Sequence, residues 1–239
     1  MAPETEIKKV RTGVEGLDKM LNGGLIENRS YIIVGGPGTG KTILSMQFLM
    51  EGAKSGEEGL FVSLEESGTE LRDDMATFSW DLRRIKIIDS TQELSGKWAL
   101  KVESVIAGPE LTLTNLLTIL REYISKYGIK RVVIDSLTSF KLMQKSPVDY
   151  RRACLTLMKF LNSVNCTALL TIEKEDHEPV MEEFLSSGVI ELDFINHSGE
   201  WLNSIRVKKM RGMSMDQHVR PMKITDKGIV VFQNESLYQ

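Results

Sequence analysis

Tyr31-Ile32-Ile33-Val34-Gly35-Gly36-Pro37-Gly38-Thr39-Gly40-Lys41-Thr42-Ile43-Leu44 places an apolar run, a glycine-rich loop and a helix-forming stretch in direct succession. Residues 35–42 fit GxxxxGK(S/T), and strand, loop and helix stand in the order that this phosphate-binding pattern requires. The glycines at 35, 36, 38 and 40 let the backbone turn tightly and aim successive N–H groups at one anion. The helix that follows adds the partial positive charge of its N-terminus. The phosphates of a nucleotide are therefore expected on Gly36, Pro37, Gly38, Thr39, Gly40, Lys41, Thr42 and Ile43. Lys41 is placed to reach the β- and γ-phosphates, and the Thr42 hydroxyl to hold Mg²⁺.

Working outward, 239 residues suffice for one large α/β domain with a sizeable core, and the whole chain, 1–239, is read that way. Thirty basic against 33 acidic residues give a net charge of −3, which argues against a surface built throughout to hold nucleic acid or anionic lipid. Cys154 and Cys166 are the only cysteines, and both fall in apolar patterns away from any CxxC pair. They read as buried free thiols, which favours a reducing compartment. The N-terminal stretch lacks an apolar signal core, and no segment approaches the roughly 18 apolar residues of a membrane span. A cytoplasmic protein without membrane contact is expected.

Apolar runs at 31–34, 60–64, 132–134 and 168–172 alternate with helix-period segments that begin at Lys41, Thr69 and Tyr150. That alternation predicts a mostly parallel central sheet flanked by helices, and the near-continuous apolar character of the strands says both faces are covered. From residue 188 onward the runs 189–194, 201–208, 222–225 and 229–232 follow one another with short gaps, so 188–239 is expected to extend one sheet edge with antiparallel strands. Residues 1–28 form a lead-in to the phosphate loop. The weakly periodic stretch 90–109 reads as a surface excursion.

Three further places carry candidate chemistry. Arg131-Val132-Val133-Ile134-Asp135-Ser136 is an apolar strand ending in a carboxylate and a hydroxyl, and Asp135 is expected to hold Mg²⁺ as the counterpart of Thr42. Phe61-Val62-Ser63-Leu64-Glu65-Glu66 places two carboxylates at another strand end, where side-chain alternation lets at most one enter the phosphate cleft as general base. A solvated Glu pair opening the next loop is the competing reading. Lys208-Lys209-Met210-Arg211-Gly212 closes a later strand with a charge run that reads either as a solvated strand end or as cations that suit a γ-phosphate in its transition state. They are poorly placed for their own phosphate loop and better placed for a neighbouring subunit's. His177, His197 and His218 lack metal-ligand spacing.

Together these motifs resemble the KaiC-like branch of the RecA superfamily, in its archaeal single-domain type, over nearly the whole chain from about Val10 to Phe232. The resemblance rests on Arg11-Thr12-Gly13-Val14-Glu15-Gly16-Leu17-Asp18 with Leu21-Asn22-Gly23-Gly24-Leu25, then GGPGTGKT, Glu65-Glu66, Phe78-Ser79-Trp80-Asp81-Leu82, Asp135-Ser136, Lys209-Met210-Arg211-Gly212 and Ile224-Thr225-Asp226-Lys227-Gly228. It implies a RecA-like P-loop NTPase fold and homo-oligomeric rings, usually hexamers, with ATP at each subunit interface. By that resemblance Lys41, Glu65 and Glu66 are the catalytic set, with Glu65 the base. Lys209 and Arg211 would touch the γ-phosphate on the adjacent P-loop, and Thr225 and Asp226 would lie near the sugar and base. KaiC itself carries two such domains, the second of which phosphorylates its own Ser and Thr. Here Glu183 and Phe184 stand at those positions, so autokinase activity is not expected. A family histidine is replaced by Met215.

The resulting expectation is a slow Mg-ATPase that couples nucleotide state to ring assembly or to a protein partner. The alternative is a RecA paralogue acting on single-stranded DNA, with 140–149, including Lys141 and Lys145, facing a central hole. A nucleotide sensor that barely hydrolyses is a third reading, opposed by the Glu65-Glu66 pair.

Overall fold

The computed structural model describes residues 7–89, 112–142, 144–174, 181–197 and 199–233, so the surface excursion expected at 90–109 lies outside the described residues. The strands are β1 (Lys9–Val10), β2 (Leu25–Ile26), β3 (Ser30–Gly35), β4 (Gly59–Ser63), β5 (Ile85–Asp89), β6 (Arg131–Asp135), β7 (Thr167–Glu173), β8 (Gly188–His197), β9 (Glu200–Met210), β10 (Arg220–Thr225) and β11 (Gly228–Val231). The helices are α1 (Glu15–Met20), α2 (Lys41–Lys54), α3 (Gly68–Ala76), α4 (Leu113–Tyr127), α5 (Leu137–Leu142), α6 (Pro147–Ser163) and α7 (Met181–Leu185). β1 and β2 pair with each other, and the other nine strands form one sheet in the order β11-β10-β9-β8-β3-β7-β6-β4-β5.

Side-chain alternation explains why the central strands read as unbroken apolar runs. Ile32 and Val34 of β3 pack to one face with α4, α5 and α6, while Tyr31 and Ile33 pack to the other with α1 and α2. β6 divides in the same way, Val132 and Ile134 against Val133. Each fully buried aliphatic side chain of this kind contributes on the order of 2 kcal/mol, so two covered faces supply most of the driving force for the fold.

Helix boundaries follow capping chemistry. Ser67 accepts from the Glu70 amide while the Glu70 carboxylate accepts from the Ser67 amide, a reciprocal box that starts α3. Ser146 caps α6 and Pro147 occupies its first turn, so the helix begins ahead of the expected Tyr150. Of the expected loop 140–149, residues 140–142 end α5 and 147–149 start α6, while Gln144, Lys145 and Ser146 form the bend between them.

The expected antiparallel extension is present as β9, β10 and β11, but its first strand differs. β8 pairs with β3 in parallel, from Tyr31↔Gly188 to Gly35↔Leu192, and only its other side is antiparallel, to β9. The parallel sheet therefore has six strands, and the change of direction falls one strand later than the sequence spacing implies. The edge strand β5, Ile85-Lys86-Ile87-Ile88-Asp89, is not among the expected strands, although three of its five residues are isoleucine. Among the described residues no helix is long and apolar enough to cross a membrane.

Cys154 and Cys166 are both fully buried free thiols, and burial pushes them up to about 12 and about 11. Since the thiolate is the reactive form, neither is expected to react with a disulfide reagent at pH 8 in the native protein. Both should react at once in denaturant. Rapid labelling of the native chain would mean that this part of the core opens readily.

Candidate nucleotide-binding site

The C-terminal ends of the parallel strands gather the phosphate loop, Asp135 and the Glu65-Glu66 pair that the sequence singled out. β3 ends at Gly35, the loop turns through Gly36–Gly40, and α2 begins at Lys41. Gly40 adopts φ 96° as the residue that caps α2, a left-handed conformation that suits glycine, and a Cβ there would lie 3.1 Å from Ile224 Cδ1. A Cβ at Gly36 or Gly38 would meet no atom within 4 Å, so the concave face of the loop stays open. Thr39 donates through Oγ1 to the Gly36 carbonyl at 2.8 Å and closes the turn. Ile43 is half-buried against the core on the α2 face. Lys41 folds over the loop, its Nζ donating to the carbonyls of Gly35 at 2.9 Å and Gly36 at 3.0 Å. Burial lowers its pKa, and the nearby carboxylates of Glu173, Asp135 and Glu65 oppose that shift.

Asp135 ends β6 and is fixed from two sides. Thr42 Oγ1 donates to Oδ2 at 2.7 Å, and Thr171 Oγ1 of the intervening strand β7 donates to Oδ1. Burial raises the pKa of this carboxyl, and the two threonine hydroxyls only partly offset it. An oxygen pair of this kind, a Thr hydroxyl against a carboxylate beside an open anion loop, fits a hard divalent cation such as Mg²⁺.

Glu65 and Glu66 lie in the bend just after β4, and their side chains diverge. Glu65 turns toward β6, and its Oε1 accepts from Ser136 Oγ and from Ser139 Oγ, the latter at 2.8 Å. Glu66 faces the other flank of the loop, in a cavity of about 260 Å³ lined also by Gly38, Thr42, Ile43, Asp74 and Phe78. Partial burial raises its pKa, helped by the charges of Asp135, Asp74, Glu65 and Glu70. Phe78 stacks on Trp80 at 4.6 Å between centroids, beside the same cavity.

Thr225 and Asp226 stand at the β10–β11 turn, where Thr225 Oγ1 donates to the Gly228 carbonyl at 2.9 Å. The adjacent Ile224 side chain occupies the space beside Gly40 that a Cβ there would fill, which brings this turn close to the chain's own phosphate loop. Lys209 and Arg211 lie elsewhere. Lys209 is level with Val189 and hence with Ile32, three residues before Gly35, about 10 Å back along the strand direction at ~3.3 Å per residue and two strands away across the sheet. Lys209 Nζ donates to the Glu183 carbonyl at 2.5 Å and the Ser186 carbonyl at 2.8 Å, and Arg211 Nη2 to the Phe184 carbonyl at 2.8 Å. Both cations are thus held at the C-terminal end of α7, away from the loop of the same chain.

Sequence reasoning missed four participants: Glu173, Thr171, Ser139 and the role of Ser136. Glu173 ends β7 directly beside Gly35, and its amide donates to Thr138 Oγ1 at 2.9 Å. Its signal was available, since β7 is another apolar strand that ends in a carboxylate. Ser136 and Ser139 show only an i, i+3 spacing after Asp135, and nothing local says that they converge on Glu65.

Against this geometry the relatives are informative. A family model described as the KaiC ATPase matches residues 10–236. The UPF0273 protein of Aeropyrum pernix is 35% identical over 240 residues, spanning 96% of this chain and 95% of that one. That of Thermotoga maritima is 35% identical over 240 residues, spanning 96% and 98%. In the crystal structure of a KaiC-like protein from Pyrococcus horikoshii the fold recurs with a TM-score of 0.81 at 31% identity, over 95% of this chain and 99% of that chain. A phosphate loop completed by Asp135 and Glu65 on neighbouring strand ends, with relatives aligned over almost the full length, places this chain in the KaiC ATPase family.

Proposed function

We propose that the chain is a Mg-dependent ATPase whose nucleotide lies between copies of itself in a ring, so that ATP state is coupled to assembly or to binding of a protein partner. One observation carries the reading: Lys41, Thr42, Asp135 and Glu65 converge at the C-terminal ends of the central strands, while Lys209 and Arg211 on β9 are held toward the opposite ends of those strands. A site with a base and a phosphate cradle but with its γ-phosphate cations facing away is complete only when a second copy supplies them.

In that arrangement the open loop amides and Lys41 bind the phosphates, and Thr42 with Asp135 would hold Mg²⁺, which when bound neutralises charge on the phosphate oxygens. Glu65 orients a water and takes its proton as the water attacks the γ-phosphorus. Lys209 and Arg211 of the adjoining copy offset the charge that spreads over the γ-phosphate oxygens. Thr225 and Asp226 border the nucleotide from the same chain as the loop.

The test pairs particle mass with phosphate release. Purified protein is expected to form a ring, six copies by resemblance, in Mg-ATP, and to release phosphate slowly. Material that ignores ATP, or that hydrolyses it as a monomer, would end this reading. The single-stranded DNA alternative has mixed electrostatic support: the cavity of about 660 Å³ beside α5 and α6 sets Lys141, Lys145 and Arg151 against Glu173 and Glu182. Salt-sensitive retention of single-stranded DNA would favour that alternative.

A further inference from the structure

We propose that Ser139, together with Ser136, is a positioning residue that holds Glu65 in the orientation its role as base requires. The inference rests on the reading of Glu65 as general base and adds the device that aims it.

Glu65 is exposed and long, and it lies in the loop between β4 and α3, so nothing in its own element fixes its rotamer. Left to itself such a side chain samples several rotamers, and only a fraction would present an oxygen to the water. Ser136 and Ser139 change that. Both hydroxyls donate to the same oxygen, Oε1, and among the described residues no hydrogen bond is made to Oε2. One oxygen is therefore held by the protein and the other is left to accept a proton.

The holder is rigid where the held residue is not. Ser136 and Ser139 bracket the first turn of α5, whose Leu137 and Phe140 are fully buried in the core. Thr138, between them, accepts the Glu173 amide and ties the same turn to the strand beside Gly35. Ser136 is itself buried, whereas Ser139 is half-exposed and can be changed without opening the core. The pair sits at i and i+3 so that both hydroxyls leave one face of the turn.

The test is a cycle of Ser139→Ala, Glu65→Gln and the double variant in Mg-ATP, with Ser139→Thr as the conservative control. Loss of a hydrogen bond to a charged, positioned group predicts a kcat about 10-fold lower in Ser139→Ala with KM and melting temperature unchanged. Ser139→Thr should recover most of the rate. In the Glu65→Gln background the same Ser139→Ala change should alter kcat by less than about 2-fold, since groups that act as a unit are not additive. Independently of turnover, nucleotide-free crystals of Ser139→Ala should show Glu65 spread over several rotamers. Equal losses in both backgrounds, an effect on KM alone, or wild-type turnover in Ser139→Ala with a crippled Glu65→Gln would each overturn the positioning role while leaving the base intact. Wild-type turnover in Glu65→Gln would remove the base assignment and this inference with it.

Discussion

Lys41→Ala chains and Lys209→Ala/Arg211→Ala chains, each nearly inactive alone, are expected to recover turnover when mixed. The first variant loses the ammonium that caps the phosphates but keeps the two cations held against α7. The second keeps an intact loop but offers nothing to its neighbour. Cations that stabilise the transferring phosphoryl group are worth about 10³–10⁵-fold in rate, so the doubly substituted chain should fall by at least that lower figure while still binding ATP. In an equimolar mixture about one interface in four joins an intact loop to intact cations, so recovery should approach roughly a quarter of the wild-type rate. No other pairing of these lesions restores a site. Recovery is measured as phosphate release after the chains are mixed as monomers and assembled with Mg-ATP. Failure of the mixture, with both variants folded and assembled, would place Lys209 and Arg211 outside the reaction.

Glu65→Gln should lower kcat by about 10²–10⁴-fold, the usual worth of a positioned base, with ATP affinity preserved. Gln keeps the size and still accepts from Ser136 and Ser139 through its carbonyl, but it cannot take a proton from water. Glu66→Gln tests the other member of the pair. Glu66 turns to the flank lined by Asp74 and Phe78, so its replacement should alter nucleotide affinity more than kcat. Single-turnover phosphate release separates the two, because it reads the chemical step without product release. The reverse pattern, a silent Glu65→Gln beside a crippled Glu66→Gln, would exchange their roles.

The elements that were legible in advance are those whose signal is local. A glycine loop between an apolar strand and a helix, a strand ending in Asp135, and another ending in Glu65-Glu66 each carry their meaning within about ten residues, because strand pleat and helix turn are short-range periodicities. The parallel sheet followed from their alternation. The position of β8 did not: residues 189–194 look alike whether the strand pairs in parallel or antiparallel, and pairing with β3 involves partners more than 150 residues away in sequence.

Reading residues in order was thus enough to mark an α/β chain with a phosphate-binding loop, to single out Thr42 and Asp135 as the expected magnesium pair, and to name two candidate bases. Folding had to bring β6 beside β4 before Ser136 and Ser139 could meet Glu65, and β7 beside β3 before Glu173 could stand next to Gly35. It also had to run β9 back along β8 before Lys209 and Arg211 could be assigned to the end of the strands away from the phosphate loop. Such meetings depend on strand order and register, which are settled by burying both faces of the sheet at once, a condition on the whole chain that no short stretch of residues states.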